Sequence, residues 1–223
     1  MRLILAIVRW FAPHLYTDMA WTYDAIAWLV SLGQWGMWQA TGLEVLEGGK
    51  VLEIGHGPGH FLREMTARGW SAAGVDPSRQ MGRLAAHRLR RHGMTSRLAR
   101  ARAQSLPFPA GCFDGVLSTF PSEYIADTRS LAEAWRVLKP GGHFVVIPIA
   151  MIAGRSAIER IGAWFNKVTG QASEPGVAWS GQFKPLGFKT QVKRLQLRRS
   201  VVLRLVALKP QAAAGLAGRG ART

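Results

Sequence analysis

The chain has 223 residues, 48% of them apolar, with nine tryptophans and one cysteine, Cys112. That is enough apolar chain for one sizeable core, which excludes a wholly disordered chain, and a lone thiol excludes a disulfide scaffold. Charge is lopsided, 29 basic residues against 13 acidic for a net +16, which suits an anionic partner such as nucleic acid, a membrane surface or a charged ligand, or simply an arginine-rich solvated surface. The excess is uneven: ten arginines lie between Arg63 and Arg102 against Glu64 and Asp76, and no acid follows Glu174. No apolar run reaches the ~20 residues a bilayer span requires, and a single thiol fits a reducing cytosol.

Residues 3–11 are apolar apart from Arg9, too short for a span, and no small-residue cleavage site follows as it would after a secretory signal. From Tyr16 to Trp38, Ala20, Tyr23, Ala27 and Val30 recur at three- and four-residue steps, a helical period that Gly33 and Gly36 are expected to interrupt. Residues 1–46 therefore read as an N-terminal helical cap that also holds five of the tryptophans.

The pattern then changes to alternating strands and helices. Lys50–Ile54 reads as a strand, Gly55–Gly59 as a glycine loop, 60–68 as a helix, 70–75 as a second strand, and Ser78 as the N-cap of a helix reaching Arg91. Further strands are expected at 96–102, 113–119 and 143–149, and helices at 127–138 and 155–168. Two closing strands at 190–197 and 200–208 precede an Ala/Gly/Arg-rich tail, 211–223, expected to be disordered. Such alternation predicts an α/β fold, a Rossmann-like doubly wound sheet over residues 47–210 whose last two strands form an antiparallel hairpin. Ligands in such sheets bind beyond the carboxyl ends of the strands.

The chemistry is concentrated in the glycine loop. Gly55, Gly57 and Gly59 follow an apolar strand and open a helix, so the backbone can turn sharply and approach a ligand closely. A dinucleotide fingerprint requires glycine where His60 stands, and the spacing is E-x-G-x-G-x-G instead. Asp76 ends the next strand, where a carboxylate can accept from both hydroxyls of a ribose.

In these residues the chain resembles the class I S-adenosylmethionine-dependent methyltransferases, of the small-molecule type that includes the quinone-biosynthesis C-methyltransferases. Four blocks in order carry the resemblance: Val51–Gly59, Gly74–Ser78, Leu106–Pro109 with Phe113–Val116, and Arg136–Gly142. Tyr23-Asp24, Trp28 and Ser31–Gly33 resemble, more loosely, the substrate cap of the quinone and lipid branch. The resemblance implies a seven-stranded sheet, S-adenosylmethionine as cofactor and S-adenosylhomocysteine as product. Glu53, Gly55, His56, Gly57 and Gly59 would surround the methionine part, and Asp76 would take the ribose hydroxyls. Pro77, Ser78 and Met81 would border one side of the adenine, Ala103, Gln104 and Ser105 the other. Arg102 stands where the family commonly has the aspartate that accepts from the adenine amino group. An arginine cannot accept, and the Gln104 side-chain carbonyl is the available substitute.

Residues 118–124 follow the fourth strand, where the family places groups facing the methyl. Thr119 is assigned there to the cofactor, Phe120 and Pro121 to the substrate, with Tyr16 and Tyr23 reaching it from the cap. Position 119–122 lacks the N/D-P-P-Y/F motif of amino-group methyltransferases. Methyl transfer from a sulfonium is an in-line displacement that needs alignment and exclusion of water; an acid or base is optional, and His60, Glu123, Tyr124 and Tyr23 are the candidate catalytic residues. No Cys/His spacing suits a metal. The expected function is methyl transfer to a small, hydrophobic acceptor such as a quinone precursor or lipid, in the cytoplasm and with peripheral contact to an anionic membrane as an option. Two alternatives stand beside it. One is methylation of RNA or another polyanion, disfavoured because no appended RNA-binding module is recognisable. The other is a non-catalytic membrane- or partner-binding protein on the same fold.

Overall fold

The structure, a computed structural model, describes residues 27–29, 31–152 and 179–211. Seven strands form one sheet: β1 (Lys50–Ile54), β2 (Ser71–Val75), β3 (Arg97–Ala99), β4 (Phe113–Thr119), β5 (Leu138–Ile152), β6 (Lys189–Gln196) and β7 (Ser200–Leu208), in the order β3-β2-β1-β4-β5-β7-β6. The first five pair in parallel. β7 inserts antiparallel between β5 and β6, so the expected closing hairpin is present. Four described α-helices are α1 (Trp35–Leu43), α2 (His60–Ala67), α3 (Arg79–Arg91) and α4 (Thr128–Val137).

Strand alternation sends neighbouring residues to opposite faces. Leu52, Ile54, Val116, Phe144 and Val146 meet Leu131, Ala134 and Val137 of α4 on one side. Val51, Leu117 and Val145 meet Leu43 of α1, Phe61, Leu62 and Met65 of α2, and Leu89 of α3 on the other. Each fully buried Leu, Val or Phe stabilises by about 1.5–3 kcal/mol, which makes these stripes the main force holding helices on the sheet. α3 shows the logic plainly: Ser78 Oγ accepts from the Met81 N–H as N-cap, Met81, Ala85 and Leu89 are buried one turn apart, and Arg79, Arg83, Arg90 and Arg91 face solvent.

Some details differ from the sequence reading. Gly33, at φ +77°, does break the helical path, but Gly36 lies inside α1. β3 is only three residues, because it is an edge strand paired on one side. β5 runs well past Ile149, and its register against β7 shifts between Val146 and Ile149, around Pro148, which has no N–H to give. The expected helix at 155–168, the tail from 212 and most of the cap lie outside the described residues.

Candidate active site

The glycine loop is tied down from three sides. Gly55 and Gly57 flank His56, and both the Gly55 and His56 N–H groups donate to the Val75 carbonyl, at 2.8 and 3.2 Å. Gly59 is the left-handed cap of α2, at φ +81°, and a Cβ there would stand 2.7 Å from the Ala85 Cβ on α3. Arg88, also on α3, donates to the Pro58 carbonyl. Only glycine permits that turn together with that helix contact.

Two carboxyl groups meet this loop. Asp76 ends β2, is 8% exposed, and accepts from the Gly57 N–H at 3.0 Å with Oδ2 and from the Ser78 N–H at 2.8 Å with Oδ1. Each oxygen keeps a second lone pair. Glu53 on β1 is 2% exposed, and its Oε2 has no hydrogen-bond partner. Burial first, then the negative charge of Asp76, pushes the Glu53 carboxyl well above the usual range, against a lowering hydrogen bond from the Leu62 backbone. A buried carboxylate oxygen without a donor is costly, so this group is suited either to hold a proton or to meet a cation. His56 is buried with its ring against Gly74, where an added Cβ would lie 2.9 Å from Cδ2. Its Nδ1 donates to the Gly57 carbonyl at 2.7 Å, and burial lowers its pKa despite the opposing charge of Asp76.

The facing wall comes from β4 and the turn after it. The Tyr124 hydroxyl lies 2.7 Å from Ser118 Oγ and 3.1 Å from the Ile54 carbonyl, which Ser118 Oγ also reaches at 3.1 Å. Three short contacts thus share two hydroxyl protons. The phenol caps Gly55, where an added Cβ would lie 2.7 Å from its oxygen. On one side of Gly55 is a cleft of about 360 Å³ bordered by Val75, Pro77, Arg102, Ala103, Gln104 and Tyr124. On the other is a polar compartment of about 20 Å³ reached by Glu53, His56, Gly57, His60, Gln39 and Thr119. At Gly57 an added Cβ would meet nothing within 4 Å, so the loop leaves open space there.

Phe120 follows β4 at φ +48°, a strained value for a bulky side chain, held by donation of its N–H to the Ile147 carbonyl at 2.7 Å. Its ring stacks on Trp35 with centroids 4.4 Å apart. Beyond them a cavity of about 430 Å³ lies between Trp28, Trp35, His60 and Phe61, and shares Trp35, Gln39 and His60 with the polar compartment.

The structure therefore brings Glu53, Gly55, His56, Gly57, His60, Asp76, Pro77, Ala103, Gln104, Thr119 and Tyr124 around adjoining spaces, with Ser78 beside Asp76. Gly59 acts beneath the loop. Met81 is fully buried, Ser105 and Glu123 are exposed, and none of the three lines these cavities. Phe120 sits against the tryptophans and Pro121 is half-buried beside it. Tyr16 and Tyr23 lie outside the described residues. Trp35 and Gln39 are site residues that the sequence reading missed, and Ser118, inside the stretch 118–124, was given no role of its own. Ser118 alone had a signal, a polar residue inside an apolar parallel strand.

Residues 52–146 match the family model described as Methyltransferase domain. The chain is 34% identical to the ubiquinone/menaquinone biosynthesis C-methyltransferase UbiE of Bordetella avium over 63% of this chain and 57% of that protein. It is 32% identical to the demethylmenaquinone methyltransferase of Tropheryma whipplei (strain Twist), over 59% of this chain and 56% of that one. It thus resembles the quinone-biosynthesis methyltransferases, while spanning little more than half the length of these relatives. Phosphoethanolamine N-methyltransferase 2 of Haemonchus contortus, solved with S-adenosyl-L-methionine, shares the fold at a TM-score of 0.61 and 18% identity, over 80% of this chain and 53% of its own.

Proposed function

We propose that the protein transfers a methyl group from S-adenosylmethionine to a small, apolar acceptor of the quinone-precursor or lipid kind. The observation that carries this reading is the pairing of the orphaned, buried Glu53 oxygen with Asp76 on either side of an open glycine loop. The residues present fit the cofactor: Glu53 Oε2 lacks the cationic or donor partner that an ammonium or sulfonium end supplies, Asp76 keeps lone pairs for two hydroxyls, and the cleft beyond Pro77 suits a flat base. When bound, the cofactor supplies a methyl already activated on sulfur.

What the chain adds is binding, orientation and exclusion of water. Glu53, His56 and the backbone at Gly55 and Gly57 hold the methionine end, Asp76 with Pro77 and Ser78 the ribose side, and Ala103 and Gln104 the base. Thr119, Phe120 and Trp35 close the reacting end, and the cavity between Trp28 and Phe61 receives the acceptor. His60 stands where that cavity meets the polar compartment, which makes it the group best located to take a proton from a phenol or enol acceptor. Of the cap, Trp28, Trp35, Gly36 and Gln39 border this cavity, and we read the chain as this cap over 1–46, a methyltransferase domain at 47–210 and a tail at 211–223. Trp28, Leu29 and Met37 are exposed large apolar residues on the cap, and together with the +16 charge they support contact with an anionic membrane from which an apolar acceptor is drawn.

The test is transfer of label from methyl-labelled S-adenosylmethionine to demethylated quinols, with products identified by mass. Methylated product is expected from the wild type and none from Glu53→Ala; labelled product in equal amount from both would contradict the proposed site.

A further inference from the structure

The cleft beside Pro77 carries a polar arrangement that sets what it can recognise. Gln104, half-buried on its rim, donates from its side-chain amide nitrogen to Asp127 Oδ2 at 3.1 Å. Asp127 is the N-cap of α4: Oδ1 accepts from the Arg129 N–H at 2.9 Å, and the Arg129 guanidinium reaches Oδ1 at 3.2 Å and Oδ2 at 2.9 Å. The side-chain hydrogen bond from Arg129, with help from its backbone N–H and from Gln104, holds the Asp127 carboxyl down at about 2. Asp127 is therefore ionised at any working pH and can only accept. An amide has one donor end and one acceptor end, so a partner that only accepts fixes which end faces it. The Gln104 carbonyl is turned away from Asp127, and it accepts no hydrogen bond among the described residues. Arg102 on the same rim can only donate.

We propose that Asp127 is a positioning residue that locks the Gln104 amide with its carbonyl free for the cleft, so that the cleft selects a 6-aminopurine over a 6-oxopurine. The inference rests on the cofactor reading above and adds the device that sets base specificity. An exocyclic amine supplies the donor that the Gln104 carbonyl lacks, whereas a 6-oxo group facing that carbonyl sets two acceptors against each other and is left to the exposed Arg102 for a donor.

Equilibrium binding of S-adenosylhomocysteine and S-inosylhomocysteine to the full chain tests it. The wild type is expected to prefer the adenosyl compound by roughly 10–100-fold, the range for one hydrogen bond exchanged for an unsatisfied polar group. Asp127→Asn still caps α4 and keeps the melting temperature, but asparagine can donate as well as accept, so Gln104 can turn and the preference falls toward one. Gln104→Ala is expected to lose the preference also. Equal affinity of the wild type for the two ligands, or an unchanged ratio in Asp127→Asn, overturns the inference alone. A wild type that binds neither ligand overturns the cofactor reading and the inference with it.

Discussion

Glu53 is the residue on which the site's electrostatics turn, because its buried place on β1 beside Asp76 raises its carboxyl well above the ordinary range. Its folded-state pKa is raised, chiefly by burial, so the native chain holds a proton that the unfolded chain releases in the usual carboxylate range. The contribution of this group to stability is therefore greatest below that range. It is lost as pH rises from the ordinary value of 4.5 towards the raised one, and is constant beyond it. Glu53→Gln removes the effect. In thermal melts across pH the variant is expected to match the wild type in acid and to be the more stable at neutral pH; a difference independent of pH would contradict the assignment. A cation placed against Oε2 favours the ionised form, so ligand binding in the same window should release a proton. Calorimetry in buffers of different ionisation enthalpy detects that release, and Glu53→Gln should abolish it.

At the scale of elements, the loop between β1 and α2 does two separable things. Gly59 lets α3 pack close, and Gly57 leaves room for a ligand. Gly59→Ala combines a left-handed alanine with a clash against the Ala85 backbone at 3.0 Å, and is expected to lower unfolding free energy by about 2–4 kcal/mol in urea denaturation. Gly57→Ala, at φ +51° with open space around its Cβ, should cost only about 1–2 kcal/mol in stability yet weaken cofactor binding strongly. Similar losses of stability in both variants would argue against this division. These elements also show what was legible in advance. Periodicity located α2, α3 and α4 almost to the residue, and Ser78 marked the start of α3 with its own signal. The extension of β5 through Pro148 was hidden, since a proline inside a strand normally marks its end. Tyr124 over Gly55 was equally invisible: its position depends on the strained turn at Phe120 and on Ser118, contacts that no local pattern encodes.

For the molecule as a whole, the +16 charge sorts into places with distinct consequences. Arg97 and Arg100 border the β3 edge, and Lys189, Lys193 and Arg194 lie exposed on β6, so both edges of the sheet are blunted against pairing with another chain. The arginine face of α3 is solvated in the same way. Among the described residues no helix is long and apolar enough to cross a membrane. The exposed Trp28, Leu29 and Met37 instead support a surface contact. Sedimentation with vesicles should then require anionic lipid, weaken with salt, and fall in a Trp28→Ser, Leu29→Ser variant; equal binding to neutral vesicles would contradict it. The central claim is narrower than any of these, that Asp76 and the glycine loop form an S-adenosylmethionine site. Calorimetric titration with S-adenosylhomocysteine measures it directly: the wild type should bind, and Asp76→Ala should bind at least ~10-fold more weakly. No binding by the wild type, or equal binding by the variant, would contradict the account.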